Sequence, residues 1–195
     1  MKPTPIQPGT PEYPAALLRD GVGWAPSVIH ALGNLAILRQ PLMALFCSAK
    51  CPGRVILPAY DLAARWHDAG RAVISGFHSP VEKECLRILL RGSQPIIICP
   101  ARSLPQRVPP DWKTPLADGR LLLLSCFPSG PRRPTAETAY RRNAFVASLA
   151  AEITVLHATP GGRLERLLRQ LRPQATRGSC ASGEPVEEYH RQATE

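Results

Sequence analysis

The segment from residue 71 to residue 103 constrains the fold more than any other stretch of the chain. It begins with a short apolar run, 72–75, and ends with a continuously apolar run, 95–99. A run of the second kind is typical of a strand that is buried on both faces of a parallel sheet. Between the two runs, Ser79 and Glu82 have the spacing of a capping box and predict the start of a helix. Strand, helix and strand in this order predict a right-handed βαβ crossover.

The same alternation continues on both sides of this unit. Further buried strands are predicted at 42–47, 121–125 and 153–157, and amphipathic helices at about 58–69, 135–150 and 163–171. Strands that alternate with helices in this way indicate an α/β fold. We therefore expect residues 41–172 to form a Rossmann-like, doubly wound parallel sheet in three layers.

The flanking segments have different patterns. Residues 1–12 are rich in proline and predict a flexible arm, whereas 13–40 carry apolar residues at helical spacing and predict a small helical extension. Residues 173–195 are polar and lack periodicity, and we expect them to form a disordered tail.

Composition excludes several classes of protein. The net charge of +9 favours a polyanionic partner. No apolar run reaches membrane-spanning length and no signal peptide is evident, so we expect a cytoplasmic protein with no membrane contact. The six cysteines lie mostly inside predicted strands and helices, which favours buried, reduced thiols and no metal site. Neither a dinucleotide fingerprint nor a Walker loop is present, so no cofactor is expected.

Three loops rich in small residues, 47–53, 75–79 and 159–163, are each expected at the carboxyl edge of the sheet. Open α/β sheets bind ligands at this edge, and converging backbone amides with nearby cations suit phosphate groups. Glu82 is interpreted as the capping partner of Ser79 and not as an acid or base. The candidate phosphate-binding residues are Ser48, Lys50, Arg54, Ser75, Gly76, Ser79, Arg102, Arg142, Asn143, Gly161, Gly162 and Arg163.

Several short motifs follow one another along the chain: Tyr13-Pro14, Leu32-Gly33-Asn34, Phe46-Cys47-Ser48, Ser75-Gly76, the run from Gly119 to Ser125, Arg142-Asn143 and Gly161-Gly162. In the order and spacing of these motifs the chain resembles the DNA-processing protein DprA (Smf) family over roughly residues 13–168, within a wider group that includes the lonely-guy phosphoribohydrolases. Some positions depart from the family pattern: Cys47 replaces a glycine, and Ala49 and Ala144 replace arginines.

The resemblance implies a function in recombination or DNA uptake, through binding of single-stranded DNA. It also implies a RecA-type recombinase as a partner and self-association as a homodimer. Arg142 and Asn143 would then hold a phosphate and a base edge. No catalytic residue is predicted. The alternatives are a nucleotide-sensing module and a lonely-guy-type phosphoribohydrolase, since residues 160–165 echo part of the motif of those enzymes.

Overall fold

The structure, a computed structural model, describes residues 2–18, 25–127 and 133–171, together with the backbone of 175–177 and 187–191. The elements alternate along the chain as the sequence predicts for its central part. The strands are β1 (Thr4–Ile6), β2 (Ile29–Gly33), β3 (Met43–Cys47), β4 (Val73–Ser75), β5 (Ile96–Ile98), β6 (Leu121–Ser125), β7 (Glu152–His157), β8 (Ala175–Arg177) and β9 (Glu187–Arg191). The helices are α1 (Ile56–Asp68), α2 (Pro80–Leu89), α3 (Pro110–Ala117), α4 (Ala136–Leu149) and α5 (Arg163–Leu171).

The nine strands within the described residues join one sheet in the order β1-β2-β6-β5-β4-β3-β7-β9-β8. The five central strands are parallel, and β4 pairs with β5 through Val73 opposite Ile96. The predicted βαβ crossover and the Rossmann-like α/β fold are therefore confirmed. Strand order reverses between β3 and β7, because β4, β5 and β6 follow one another on one side of β3 and β7 lies on the other. Open α/β sheets have their ligand crevice at such a point.

Two apolar cores cover the two faces of this sheet. Along β3, Ala44 and Phe46 point to the core that includes Phe145 of α4 and Leu167 of α5. Met43, Leu45 and Cys47 point to the opposite core, with α1 and α2. Side chains alternate between the faces of a strand, so a strand that is apolar at every position must be covered on both sides. Three layers follow directly from the composition of the strands.

One helix was not predicted. This helix is α3, which forms within the proline-rich segment 100–118. Pro110 occupies the first helical position, where a missing N–H group is tolerated. Leu116 then packs into the core that α1 and α2 share.

The N-terminal arm is ordered over β1, in contrast to the flexible arm expected for residues 1–12. Its strand pairs antiparallel with β2, and Ile6 is 2% exposed. A single apolar side chain and the backbone hydrogen bonds of a sheet edge are enough to hold the segment.

The helical extension expected for residues 13–40 is mostly a different structure. Described residues there form β2, antiparallel to β6, and two short 3-10 helices, at Ala15–Leu17 and Leu35–Arg39. Gly33 explains part of the difference, because its φ of +122° ends the strand in a conformation that favours glycine. An added Cβ there would also lie 2.3 Å from the Leu121 carbonyl oxygen.

The C-terminal segment also departs from the prediction of a disordered tail from residue 173. Strand β9 pairs antiparallel with β7, and β8 pairs with β9. The edge of β7 offers unpaired backbone groups, and pairing with them requires no apolar periodicity. The other residues of the tail lie outside the described residues. Among the helices in the described ranges, none combines the length and the apolar character needed to span a bilayer.

Strand β1 generates a stability prediction. The Ile6→Ala substitution should lower the free energy of unfolding by about 2–5 kcal/mol, because it empties a fully enclosed site in the core. The exposed neighbour Thr4 supplies the control, and Thr4→Ala should change the value by less than about 0.5 kcal/mol. Urea unfolding followed by circular dichroism measures both. Equal, small effects would show that the arm does not dock in solution.

Candidate nucleic-acid interface

Four loops meet at the carboxyl edge of the parallel strands, after β3, β4, β5 and β7. The loops after β3 and β7 are joined directly. The Ser48 amide donates to the His157 carbonyl at 2.8 Å, and the Thr159 amide donates to Ser48 Oγ at 3.0 Å. The Cys99 amide likewise donates to the Ser75 carbonyl at 2.8 Å. The sequence therefore predicted correctly that the three loops after β3, β4 and β7 lie at one edge.

A buried carboxylate lies at the centre of this edge. Glu82, 5% exposed, accepts backbone N–H groups from Cys47 at 2.8 Å, His78 at 2.7 Å and Ser79 at 3.0 Å. Ser79 Oγ accepts the Glu82 amide at 3.2 Å, which completes the predicted capping box. The bond to Cys47 was not predicted, and it joins the end of β3 to the start of α2.

Ser75 and Ser79 are placed differently from the prediction that they face a ligand. Ser75 is fully buried, and its hydroxyl donates to the Leu45 carbonyl at 2.7 Å and accepts the Phe77 amide at 3.2 Å. Ser79 is 3% exposed and caps α2. Both hydroxyls hold the turn together, because a tight turn next to a helix start must satisfy its own backbone groups.

Arg142, on α4, is buried beneath the same turn and is not a surface cation. Its Nε donates to Asn143 Oδ1 at 2.7 Å and its Nη1 donates to the Cys99 carbonyl at 3.0 Å. Burial lowers the pKa of the guanidinium, and the nearby Glu82 carboxylate acts in the opposite direction. A guanidinium nevertheless stays charged in proteins. The predicted direct phosphate contact by Arg142 is thus replaced by a buried positive charge under the β4–α2 turn.

Gly76 is required by this arrangement. A Cβ at position 76 would lie 1.1 Å from Nη1 and 1.8 Å from Cζ of Arg142, so the guanidinium occupies the space that any other residue would fill. Asn143 is half-buried and holds the same side chain. Gly76, Arg142 and Asn143 therefore form one packed unit.

The turn after β7 has a similar internal cap. Gly161, with φ of +69°, donates its amide to Glu165 Oε2 at 2.7 Å, and the Gly162 amide donates to the Thr159 carbonyl at 2.9 Å. Glu165 also pairs with Arg169 at 3.0 Å. Amides that were expected to bind phosphate here are thus engaged within the protein.

The exposed cations of the edge remain as candidate ligand contacts. Lys50 and Arg54 follow β3, Arg102 follows β5 and Arg163 follows β7, and all four residues are exposed. Arg102 uses its carbonyl to accept the Ser125 hydroxyl at 2.8 Å. Within the described part of the chain, no salt bridge involves Lys50, Arg54 or Arg163.

Burial also shifts the pKa values of three other side chains in the described part of the chain, His78, Cys85 and Cys126. Desolvation, and then the charge of Arg142, lower the pKa of His78 and so favour its neutral form. Burial raises the pKa of Cys85 and of Cys126 to about 12, which keeps these thiols protonated. In the described ranges, no three histidine, cysteine or acidic side chains converge on a possible metal position.

Two features of the site were not predicted from the sequence: the hydrogen bond from the Cys47 amide at the end of β3 to Glu82, and the burial of Arg142. The capping-box spacing predicted the hydrogen bonds between Ser79 and Glu82, but not the bonds to His78 and Cys47. A glycine directly after a buried strand is a signal that could have indicated a close approach at Gly76, but not which side chain makes it.

Comparisons with known proteins place this geometry in context. The model of the family described as DNA recombination-mediator protein A matches residues 4–164. A search of curated protein sequences found no match.

Two solved structures share the fold. DNA processing protein A (DprA) of Streptococcus pneumoniae superposes with a TM-score of 0.68 at 19% identity, over 87% of this chain and 61% of the pneumococcal one. DNA processing protein A of Helicobacter pylori, whose structure concerns a unique single-stranded DNA binding mode, gives a TM-score of 0.68 at 16% identity, over 89% of this chain and 77% of its own. This chain therefore spans less than two thirds of the length of the pneumococcal protein.

The contact between Gly76 and Arg142 predicts a strong coupling. Gly76→Ala should cost about 1–3 kcal/mol of stability, because the new Cβ overlaps the buried guanidinium. The cost should shrink when Arg142→Ala is also present, since the shortened side chain leaves room for the methyl group.

Gly53→Ala is the matched control, because nothing lies within 4 Å of an added Cβ there. Its stability should stay within about 1 kcal/mol of the wild type. A double-mutant cycle by urea unfolding measures the coupling. If the loss of unfolding free energy in the double variant equalled the sum of the losses in Gly76→Ala and Arg142→Ala, the contact between the two residues would be contradicted.

Proposed function

Because this chain belongs to the family of DNA recombination-mediator protein A, we propose that it binds single-stranded DNA along the carboxyl edge of its sheet. The observation that carries the proposal is the set of exposed cations at this edge. The connections that follow three different strands carry Lys50, Arg54, Arg102 and, at the first position of α5, Arg163. Their spread across neighbouring loops suits a chain of phosphates better than a single small anion.

Side-chain cations, and not backbone amides, make the phosphate contacts in this proposal. The amides of His78, Ser79 and Gly161 already donate to Glu82 and Glu165. Contacts from long, exposed side chains to phosphates fix position but carry no sequence information. We therefore expect binding that depends on salt and depends little on base sequence.

Neither Glu82, which is buried, nor Glu165, which is half-buried, is proposed as a catalyst. Glu82 and Glu165 each accept backbone N–H groups of their own turns, and this accounts for their placement. A DNA-binding function without hydrolysis of a nucleotide fits these contacts better than a phosphoribohydrolase.

The proposal extends to assembly in recombination or DNA uptake. The family resemblance favours self-association and loading of a RecA-type recombinase onto bound single strands. Sedimentation with and without an oligonucleotide tests self-association, and this test is separate from DNA binding itself.

Charge reversal at the edge provides the test of DNA binding. The Lys50→Glu/Arg54→Glu variant should bind a labelled single-stranded oligonucleotide more than about tenfold more weakly at low salt, because it removes two phosphate contacts and adds repulsion. The dependence of log affinity on log salt should become shallower by about 1.4, at about 0.7 per lost contact. Fluorescence anisotropy over a series of salt concentrations measures both.

Arg39→Glu/Arg91→Glu is the matched control. Both residues are exposed, and both precede strands at the opposite, amino edge of the sheet. This variant carries the same net charge as the first one and should bind nearly as the wild type does. Equal loss in the two variants would reduce the interaction to attraction by net charge, and no binding by the wild type at low salt would refute the proposal.

A further inference from the structure

The Glu82 carboxylate lies where an anionic ligand lies in many α/β proteins, at a helix start beside the carboxyl end of a strand. Three backbone N–H groups converge on it, from His78 and Ser79 in the β4–α2 turn and from Cys47 at the end of β3. Ordinary helix capping explains the Ser79 bond alone. The bonds from His78 and from a separate strand form a donor set that encloses the carboxylate.

A buried cation lies near this carboxylate without being one of its donors. The Arg142 guanidinium packs against Gly76 in the same turn, and Arg142 is 4% exposed. Its bonds to Asn143 and to the Cys99 carbonyl hold it in place without a direct salt bridge to Glu82. A buried charge is costly unless charge of opposite sign lies nearby, so the cation and the carboxylate stabilise each other at this edge.

We propose that Glu82 is a built-in anion, which fills the backbone anion site of the β4–α2 turn and keeps ligand phosphates out of it. The part of this inference that concerns DNA rests on the proposed function. Occupation of the site by the carboxylate is independent of it.

Glu82 is also a positioning residue for the loop that carries Lys50 and Arg54. Cys47, whose amide it accepts, is the last residue of β3, and residues 48–54 follow directly. The carboxylate therefore fixes the distance between that loop and the β4–α2 turn. In the proposed complex, ligand phosphates therefore contact the exposed side chains of Lys50 and Arg54 and not the backbone amides of the β4–α2 turn.

Chemical rescue tests the occupation of the site. Glu82→Ala should lower the melting temperature, and sodium formate should restore about half of the loss or more in a saturable way, because formate supplies the missing carboxylate. Sodium chloride at equal ionic strength should restore little. Glu82→Gln fills the same space without the charge, and Ser79→Ala removes the capping hydroxyl but keeps the carboxylate. Neither variant should be rescued by formate.

Rescue of Ser79→Ala to the same extent as Glu82→Ala would overturn the proposal, since formate would then act as a general stabiliser. The wild-type protein gives a second measurement that does not depend on the folding of a variant. Titration with inorganic phosphate, followed by amide chemical shifts, should leave Cys47, His78 and Ser79 unperturbed. Saturable shifts at these amides would show that the site is open to external anions.

A DNA-binding measurement on Glu82→Ala distinguishes a failure of this inference from a failure of the proposed function. In Glu82→Ala the vacated site admits one phosphate of a bound strand, so the salt dependence should become steeper by about 0.7 relative to the wild type. Absence of DNA binding by the wild type would refute the proposed function, while the formate and phosphate measurements would still decide the role of Glu82. In one outcome, formate rescues the stability of Glu82→Ala while the salt dependence of its DNA binding stays the same as in the wild type. That result would overturn the idea that Glu82 keeps ligand phosphates out of the site.

Discussion

The carboxylate of Glu82 ties together the carboxyl ends of β3 and β4, two neighbouring parallel strands of the sheet. Its bonds to Cys47, His78 and Ser79 join the end of β3 to the turn after β4. Beneath that turn, the Arg142 guanidinium occupies the space left by Gly76 and reaches the end of β5 through the Cys99 carbonyl. Three neighbouring strands are thus locked at their carboxyl ends by one buried anion and one buried cation.

This locked edge determines how the protein can bind a polyanion. Phosphate-binding loops ordinarily present unpaired amides at such an edge. Here backbone amides of the turns after β4 and β7 donate hydrogen bonds to the protein's own carboxylates, Glu82 and Glu165. Exposed lysine and arginine side chains remain, and these suit an extended, flexible strand whose phosphates need no fixed register.

The sequence predicted the central fold well, because its signals there were local. Continuous apolar strands, the Ser79–Glu82 spacing and the apolar stripe of Arg163–Leu171 each specify an element without help from distant residues. Predictions failed where pairing with a distant partner decided the structure. Strand β2 carries apolar residues at a spacing that also fits a helix, and only its pairing with β6 selects the strand. The burial of Arg142 likewise depends on a glycine 66 positions earlier in the chain, which no local pattern reveals.

Binding at the carboxyl edge is the central claim, and amide chemical-shift mapping with a short single-stranded oligonucleotide tests it most directly. The predicted result is that perturbations concentrate in residues 48–54, 100–103 and 158–163, next to the exposed cations. The amino edge, including residues 35–40 and 91–95, should remain unperturbed. Perturbations centred on the amino edge, or spread evenly over the surface, would contradict binding at the carboxyl edge.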